Sequence, residues 1–323
     1  MNTLFKSSGW AIKSSARKSN AGLTLIELMV SLVIGLLLAI VASSAYLYSK
    51  QAYNAVSETS QLEENGLMAL DLVTRYVQSA GYVAINPRSN RPYGAMDQKI
   101  TGCDFGMANA QGATVATDLA CNPSTPTGTS RSASITVISE TDPYSSVVGS
   151  GTTTVSKYQG FNCVGNAATI VPADTSTGAT VTYVVRSNFF ISNSTAATPF
   201  GTTTMGQLSC VADATVPGGA VNLQAQPLIP GVVQLAATYL TPSALVAGSA
   251  QRAVDASALT LADTWNTVTA VEICVLTKSI QSSGNDTGVA STDCYGNTIA
   301  AAPSQTYRRF TATVKLRNRS AGV

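Results

Sequence analysis

Glu27 is the only charged residue in the stretch from Leu23 to Leu47, where 19 of 25 residues are apolar. A carboxylate in hydrocarbon costs roughly 2.5–3.5 kcal/mol even on insertion-based scales, so the chain needs a compensating positive charge to keep it there. The rest of the sequence offers little reactive chemistry. It contains no histidine, which removes Ser-His-Asp and Cys-His catalysis, His-ligated zinc and the commonest general base. Carboxylate, lysine or tyrosine chemistry remains open. Gly149, Ser150 and Gly151 lack the third glycine of a dinucleotide fingerprint, and no phosphate-loop GK[ST] occurs. Asp174 and Asp286 read as solvated turns, because the alternating ligands of a calcium loop are missing. Arg308, Arg309, Arg317 and Arg319 read as a strand edge with salt partners. Trp265, Tyr295 and Tyr307 read as core or rim residues. No constellation supports a reaction, so no enzyme activity, catalytic residue, metal or cofactor is expected.

The compartment follows from charge and cysteine. All four ionisable groups before Gly22 are basic: Lys6, Lys13, Arg17 and Lys18. Removing these from the 19 Lys+Arg leaves 15 against 17 Asp+Glu, so the remainder is near neutral and no basic face argues for nucleic acid. The six cysteines, Cys103, Cys121, Cys163, Cys210, Cys274 and Cys294, form no CxxC and all follow residue 100. Beyond a membrane anchor they suit disulfides in an oxidising space such as a periplasm. Sequence does not choose among the fifteen connectivities. Neighbour pairing closes the shortest loops and is the expectation carried forward.

The elements that must carry these residues begin with the apolar run. As a helix, Leu23–Leu47 exceeds the roughly 30 Å hydrocarbon core of a bilayer. The basic flank puts residues 1–22 in the cytoplasm and the rest outside. A plain signal anchor and a signal peptide cut after Ala45 both suit the hydropathy. Neither explains Glu27, and both the flank and the run are long for a signal peptide. Ser31, Gly35, Ala39 and Ser43 repeat at i, i+4, a spacing that lets membrane helices approach closely.

Helical periodicity continues without proline from Tyr48 to Tyr82, with an apolar stripe expected at Leu67, Leu70, Val73, Val77 and Ala80 and a stop at Gly81. Gly66 invites a bend. After Pro87 the composition turns to Gly, Ser, Thr and Ala, and β-type runs appear at 133–140, 179–192, 232–240, 268–279 and 308–318. The last puts Phe310, Ala312, Val314 and Leu316 on one face and Thr311, Thr313 and Lys315 on the other. The stretches 104–132 and 194–227 read as long polar loops. The expected fold class is α+β, a long N-terminal helix, half membrane-spanning and half amphipathic, packed on an antiparallel β-sheet head.

"GLTLIE", Gly22 to Glu27, resembles the leader site of type IV prepilins. The resemblance implies cleavage after Gly22, methylation of the new terminus at Leu23, and a Glu27 carboxylate facing a terminal ammonium during subunit assembly. Leu23 departs mildly from the usual phenylalanine, and the helix lacks the proline of many major pilins. Stretches 66–82, 228–240 (where Pro230 and Gly231 set a turn), 265–279 and 307–319 resemble PilW-type minor pilins, leaving roughly 84–225 unmatched. That implies a leader (1–22), a transmembrane helix (23–47), a stalk helix (48–82) and a β-rich periplasmic or extracellular head (83–323). The implied role is that of a minor pilin priming type IV pilus assembly near the tip, in the inner membrane before assembly and in the pilus after it. Implied partners are the prepilin peptidase, other minor pilins, the major pilin, the inner-membrane assembly platform and a tip adhesin. A type II secretion pseudopilin shares leader, helix and head, and a signal-anchored binding ectodomain is the alternative of a different class.

Overall fold

The computed structural model describes residues 24–82, 99–112, 119–124, 131–140, 143–147, 154–158, 162–165, 169–171, 182–198, 201–214, 222–243, 250–259, 262–279, 290–300 and 305–318. Gly22, Leu23, the four N-terminal basic residues, the 149–151 stretch, Asp174, Asp286 and Arg319 lie outside the described residues. The chain divides into two compact units, Met1–Tyr53 and Asn54–Val323.

Helix α1, Leu25–Ser79, is continuous over 55 residues. It starts behind Thr24 and stops where Gly81 takes φ 69°, the left-handed conformation that glycine adopts without a Cβ penalty just past a helix end. The Gly81 amide leaves the helix to donate to the Ile138 carbonyl at 2.9 Å. In the second unit the buried line is Leu62, Gly66, Ala69, Val73, Val77 and Ala80. The expected stripe is therefore corrected at its start: Leu67 is 58% exposed and Leu70 only half-buried. Gly66 explains the shift. A Cβ built there would fall inside the Phe310 ring, so the glycine gives the head a close approach and aims the line through 66. Leu67 follows about 100° further round and points away.

The strands are β1 Ile100–Cys103, β2 Ser134–Glu140, β3 Pro143–Val147, β4 Thr154–Tyr158, β5 Thr169–Val171, β6 Thr182–Thr198 and β7 Gly201–Ala214. Then follow β8 Asn222–Pro230, β9 Val232–Pro242, β10 Gln251–Val254, helix α2 Ala262–Trp265, β11 Ala270–Lys278, β12 Ser291–Thr292, β13 Thr298–Ile299 and β14 Tyr307–Lys315. One sheet has the order β1-β2-β6-β7-β8, with β5 also on β6, and a second has β10-β9-β11-β14. The pairs β3–β4 and β12–β13 stand apart. All registered pairs are antiparallel.

The two main sheets share one core with the helix. Val73 and Val77 from α1 meet Ile135 and Val137 (β2), Phe189 (β6), Leu208 (β7), Leu235 (β9), Ile273 (β11) and Val314 (β14). Each such side chain, fully buried, contributes about 1.5–3 kcal/mol over leaving it in water. Tyr76 meets Phe189 edge-on, with ring centroids 5.0 Å apart. The turn between β8 and β9 carries the chain from one sheet to the other. Gly231 there takes φ 79°. Its amide donates to the Gly206 carbonyl at 2.9 Å, and its own carbonyl accepts from Lys278 at 2.7 Å.

The stretch 194–227 is not a loop. It holds the end of β6, all of β7 and two thirds of β8. From Leu208 to Ala212 every residue is buried, with Leu208 and Cys210 in the main core and Val211 in a second cluster, so no alternation marks the strand. Pro227 sits in β8 beside a register shift at Leu208/Ser209, where an edge strand tolerates a missing donor. In 104–132 the described residues hold a 3-10 turn, Ala110–Gly112, and an isolated Met107–Cys121 bridge.

Candidate assembly site

At the start of α1 the Thr24 carbonyl accepts from the amides of Glu27 at 3.0 Å and Leu28 at 3.2 Å. The Thr24 hydroxyl oxygen also accepts from Glu27 at 3.4 Å. Thr24 is thus the N-cap and Glu27 the third helical residue, the T-x-x-E spacing of a capping box. Sequence reading missed this although the signal was present. The carboxylate stands at the positive end of the helix dipole, worth about 0.3–1 kcal/mol. Among the described residues it has no side-chain partner, and its surroundings, Leu25 at 79% exposed and Ile26 at 71%, are open. The helix contains a window long and apolar enough to cross a membrane. Ser31 donates back to the Leu28 carbonyl at 2.9 Å, so its hydroxyl is satisfied within the helix. Gly35 has nothing within 4 Å of a built Cβ. Ala39 and Ser43 lie on the same exposed segment.

In the head, three disulfides join Cys103 to Cys121, Cys163 to Cys210, and Cys274 to Cys294, each to its neighbour in sequence. The first and third adjoin a polar knot, through Asp104 beside Cys103 and through Asp293 and Tyr295 beside Cys294. The Asp104 side chain, 5% exposed, accepts from the amides of Ala256 and Ser257, both at 2.9 Å. Arg131 lies 4.0 Å from Asp104 and 3.2 Å from Asp255. Its guanidinium also sits 4.2 Å from the Tyr295 ring centroid and 5.2 Å from that of Phe105. Burial pushes the Tyr295 hydroxyl up to about 12; Arg131 opposes this, while Asp104, Asp255 and Asp293 add to it. Burial also raises Asp293, but hydrogen bonds from Asn297, Tyr295 and Gln234 outweigh it and hold the carboxyl below its ordinary range. Gln234 ties the knot together, donating to the Arg131 carbonyl at 2.9 Å and accepting from the Cys294 amide at 2.9 Å.

A cleft of about 510 Å³ opens beside the knot, lined by Asp104, Phe105, Met107, Asn122 and Trp265 among others. Of its polar side chains, Asp104, Asn122 and Thr136 are already bonded. The Asn122 amide donates to the Phe105 and Met107 carbonyls at 3.2 and 3.0 Å, and the Thr136 hydroxyl donates to Asn188 at 2.7 Å. Among the described residues no group of three His, Cys, Asp or Glu is placed to hold a metal. Arg308 pairs with Glu63 of α1, and Arg309 donates to the Asp293 carbonyl at 3.3 Å. Trp265 is buried against Tyr239, with ring centroids 4.8 Å apart, and Tyr307 is half-buried. The arrangement is one of attachment: an open apolar helix with one acid at its head, and a cross-linked β-rich body.

Residues 17–43 match the prokaryotic N-terminal methylation motif, which takes in Gly22, Leu23, Glu27 and the small-residue repeat. Residues 188–318 match the family of type IV pilus-assembly protein W. The chain is PilW-like. The match starts in the middle of β6 and ends just past β14, so it spans strands of both main sheets. The unmatched stretch between the two matches is 44–187 rather than 84–225. The stalk stretch 66–82 falls outside both matches, and 188–225 falls inside. Both matching families are of pilin and pilus-assembly proteins, which are structural rather than enzymatic, and the motif with the apolar helix behind it fits a membrane-anchored pilin. The motif implies processing by a prepilin peptidase and partners within a pilus system. No match to the chain was found among curated proteins or solved structures.

Proposed function

We propose that this chain is a minor pilin of a type IV pilus, made as an inner-membrane precursor, cut after Gly22, methylated on Leu23 and assembled with other minor pilins into the complex that primes polymerisation near the tip. The observation carrying this reading is the coincidence of two features in one chain. The methylation motif of residues 17–43 places an acid in the first turn of an apolar helix, and a head matching pilus-assembly protein W follows it. In lipid the Glu27 carboxylate and a neighbouring subunit's terminal ammonium offset each other's desolvation. Ser31, Gly35, Ala39 and Ser43 give the close helix approach that brings them together. The major pilin and the inner-membrane assembly platform are the remaining partners on this reading.

Two measurements test it. Mass spectrometry of the native N-terminal peptide should find methylated Leu23; a chain beginning at Tyr46, or one retaining residues 1–22, refutes the role given to Glu27. In a Glu27→Ala strain we expect normal cleavage with loss of surface pili, and normal piliation sinks the proposal. A deletion strain that keeps its pili and loses secretion would instead assign the chain to a secretion pseudopilus.

A further inference from the structure

The β6–β7 hairpin outruns the sheet that holds it. β2 pairs with β6 only from Val184 to Phe189, and β8 pairs with β7 only from Gln207 onward. Beyond these limits the two strands stay in register with each other, from Asn193↔Gly206 to Thr198↔Gly201. Among the described residues no second strand flanks β6 over residues 194–198. That edge presents backbone N–H and C=O groups in extended geometry, a template for another strand.

Outer strands of the two main sheets elsewhere carry a device against such pairing. β14 bears Arg308, Arg309 and Lys315, β10 bears Arg252, β8 has Pro227 at its bulge, and β1 is four residues long and ends in a disulfide. These are the features by which edges are blunted. The β6 extension has none of them. From Ser187 to Ala212 there is no charged residue, and the one proline, Pro199, falls between the strands. Thr195, Thr198, Thr202, Thr203 and Thr204 favour the extended backbone.

We propose that residues 194–198 of β6 pair antiparallel with the same residues of a second copy of this chain, continuing one sheet into the next. The complement of an unprotected ladder is another ladder. A strand bearing charges would have to give up their hydration against this neutral edge, whereas the chain's own edge is neutral and equally long. Antiparallel pairing about a twofold axis uses the same patch on both copies and closes the assembly at two. The proposal goes beyond the pilus reading and does not depend on it, since the edge is the same whatever the appendage.

The test is photo-crosslinking of the full chain in its native membrane, with a benzophenone amino acid at Ala196 and, as control, at Thr313 on the charged β14 edge. An adduct of twice the chain mass from position 196 and none from 313 is the expected result. Thr195→Lys in the crosslinker-bearing chain itself should abolish that adduct, and Thr313→Lys in the same chain should leave it. An adduct of any other mass assigns the edge to a different protein and overturns self-pairing, as does no adduct or one that survives Thr195→Lys. The unsubstituted chain supplies the decisive reading even if the lysine variant fails to fold. Methylation of Leu23, measured in the same cells, tests the pilus reading separately.

Discussion

Gly66 illustrates how a residue unfavourable for its own helix becomes necessary to the molecule. Alanine there would gain about 1 kcal/mol in helix propensity, but its methyl would occupy the Phe310 ring, and such overpacking costs about 1–3 kcal/mol. Gly66→Ala should therefore lower the melting temperature, and adding Phe310→Leu should recover part of the loss; a rise for the single variant would refute the contact. The glycine was visible in the sequence, but its reason was not, because Phe310 lies 244 positions away and only the fold brings them together. Asp104 is a parallel case, a lone acid until the fold sets it against two amides. Asp104→Ala leaves those donors bare and should cost about 1–3 kcal/mol in denaturant unfolding. Tyr295 gives a pH signature. Folding raises its ordinary 10.0 to about 12, so the folded state holds a proton that the unfolded chain has released. Its contribution is full below pH 10 and is lost as pH rises towards 12. Melting temperature should fall across that window. Tyr295→Phe should remove this part of the fall and change little at neutral pH, because among the described residues the buried hydroxyl has no partner.

Among the elements, α1, β2, β9, β11 and β14 were legible because each carries a strong period, such as Phe310-Ala312-Val314 on one face of β14. β7 and β8 were not, because a strand of Thr, Ser and Gly has the composition of a loop, and its pairing with β6 is a property of the hairpin rather than of either strand. Cysteine count indicated disulfides, but pairing needs geometry. The Cys163–Cys210 bond closes a 47-residue separation, against 18 and 20 for the others. Loop-closure entropy assigns it about 4 kcal/mol and the others about 3 each. The Cys163→Ala/Cys210→Ala double variant should thus lose more stability than either other double variant, as chemical denaturation would show. The reverse order would mean that the 163–210 loop is already constrained in the unfolded chain.

At the scale of the whole molecule, the acid at Glu27 was readable as an anomaly in a hydrophobic run, whereas its place as third residue behind a Thr24 cap was overlooked. Thr24→Ala removes that cap at a cost of about 1 kcal/mol to the helix end while leaving the carboxylate. It should reduce pilus number less than Glu27→Ala does, counted by electron microscopy; equal loss would mean that capping rather than charge is what Glu27 provides. The disulfides have a mechanical consequence as well. A subunit loaded in tension through its head can lengthen only where backbone is free to unravel. The Cys163–Cys210 cystine encloses all of β6 and most of β7, and Cys274–Cys294 encloses the end of β11 with the β12 strand. Those segments cannot be drawn out however many hydrogen bonds break. On the proposed reading the head is a fibre element of limited extension, able to yield only in strands that no cystine encloses, such as β2, β8, β9, β10 and β14.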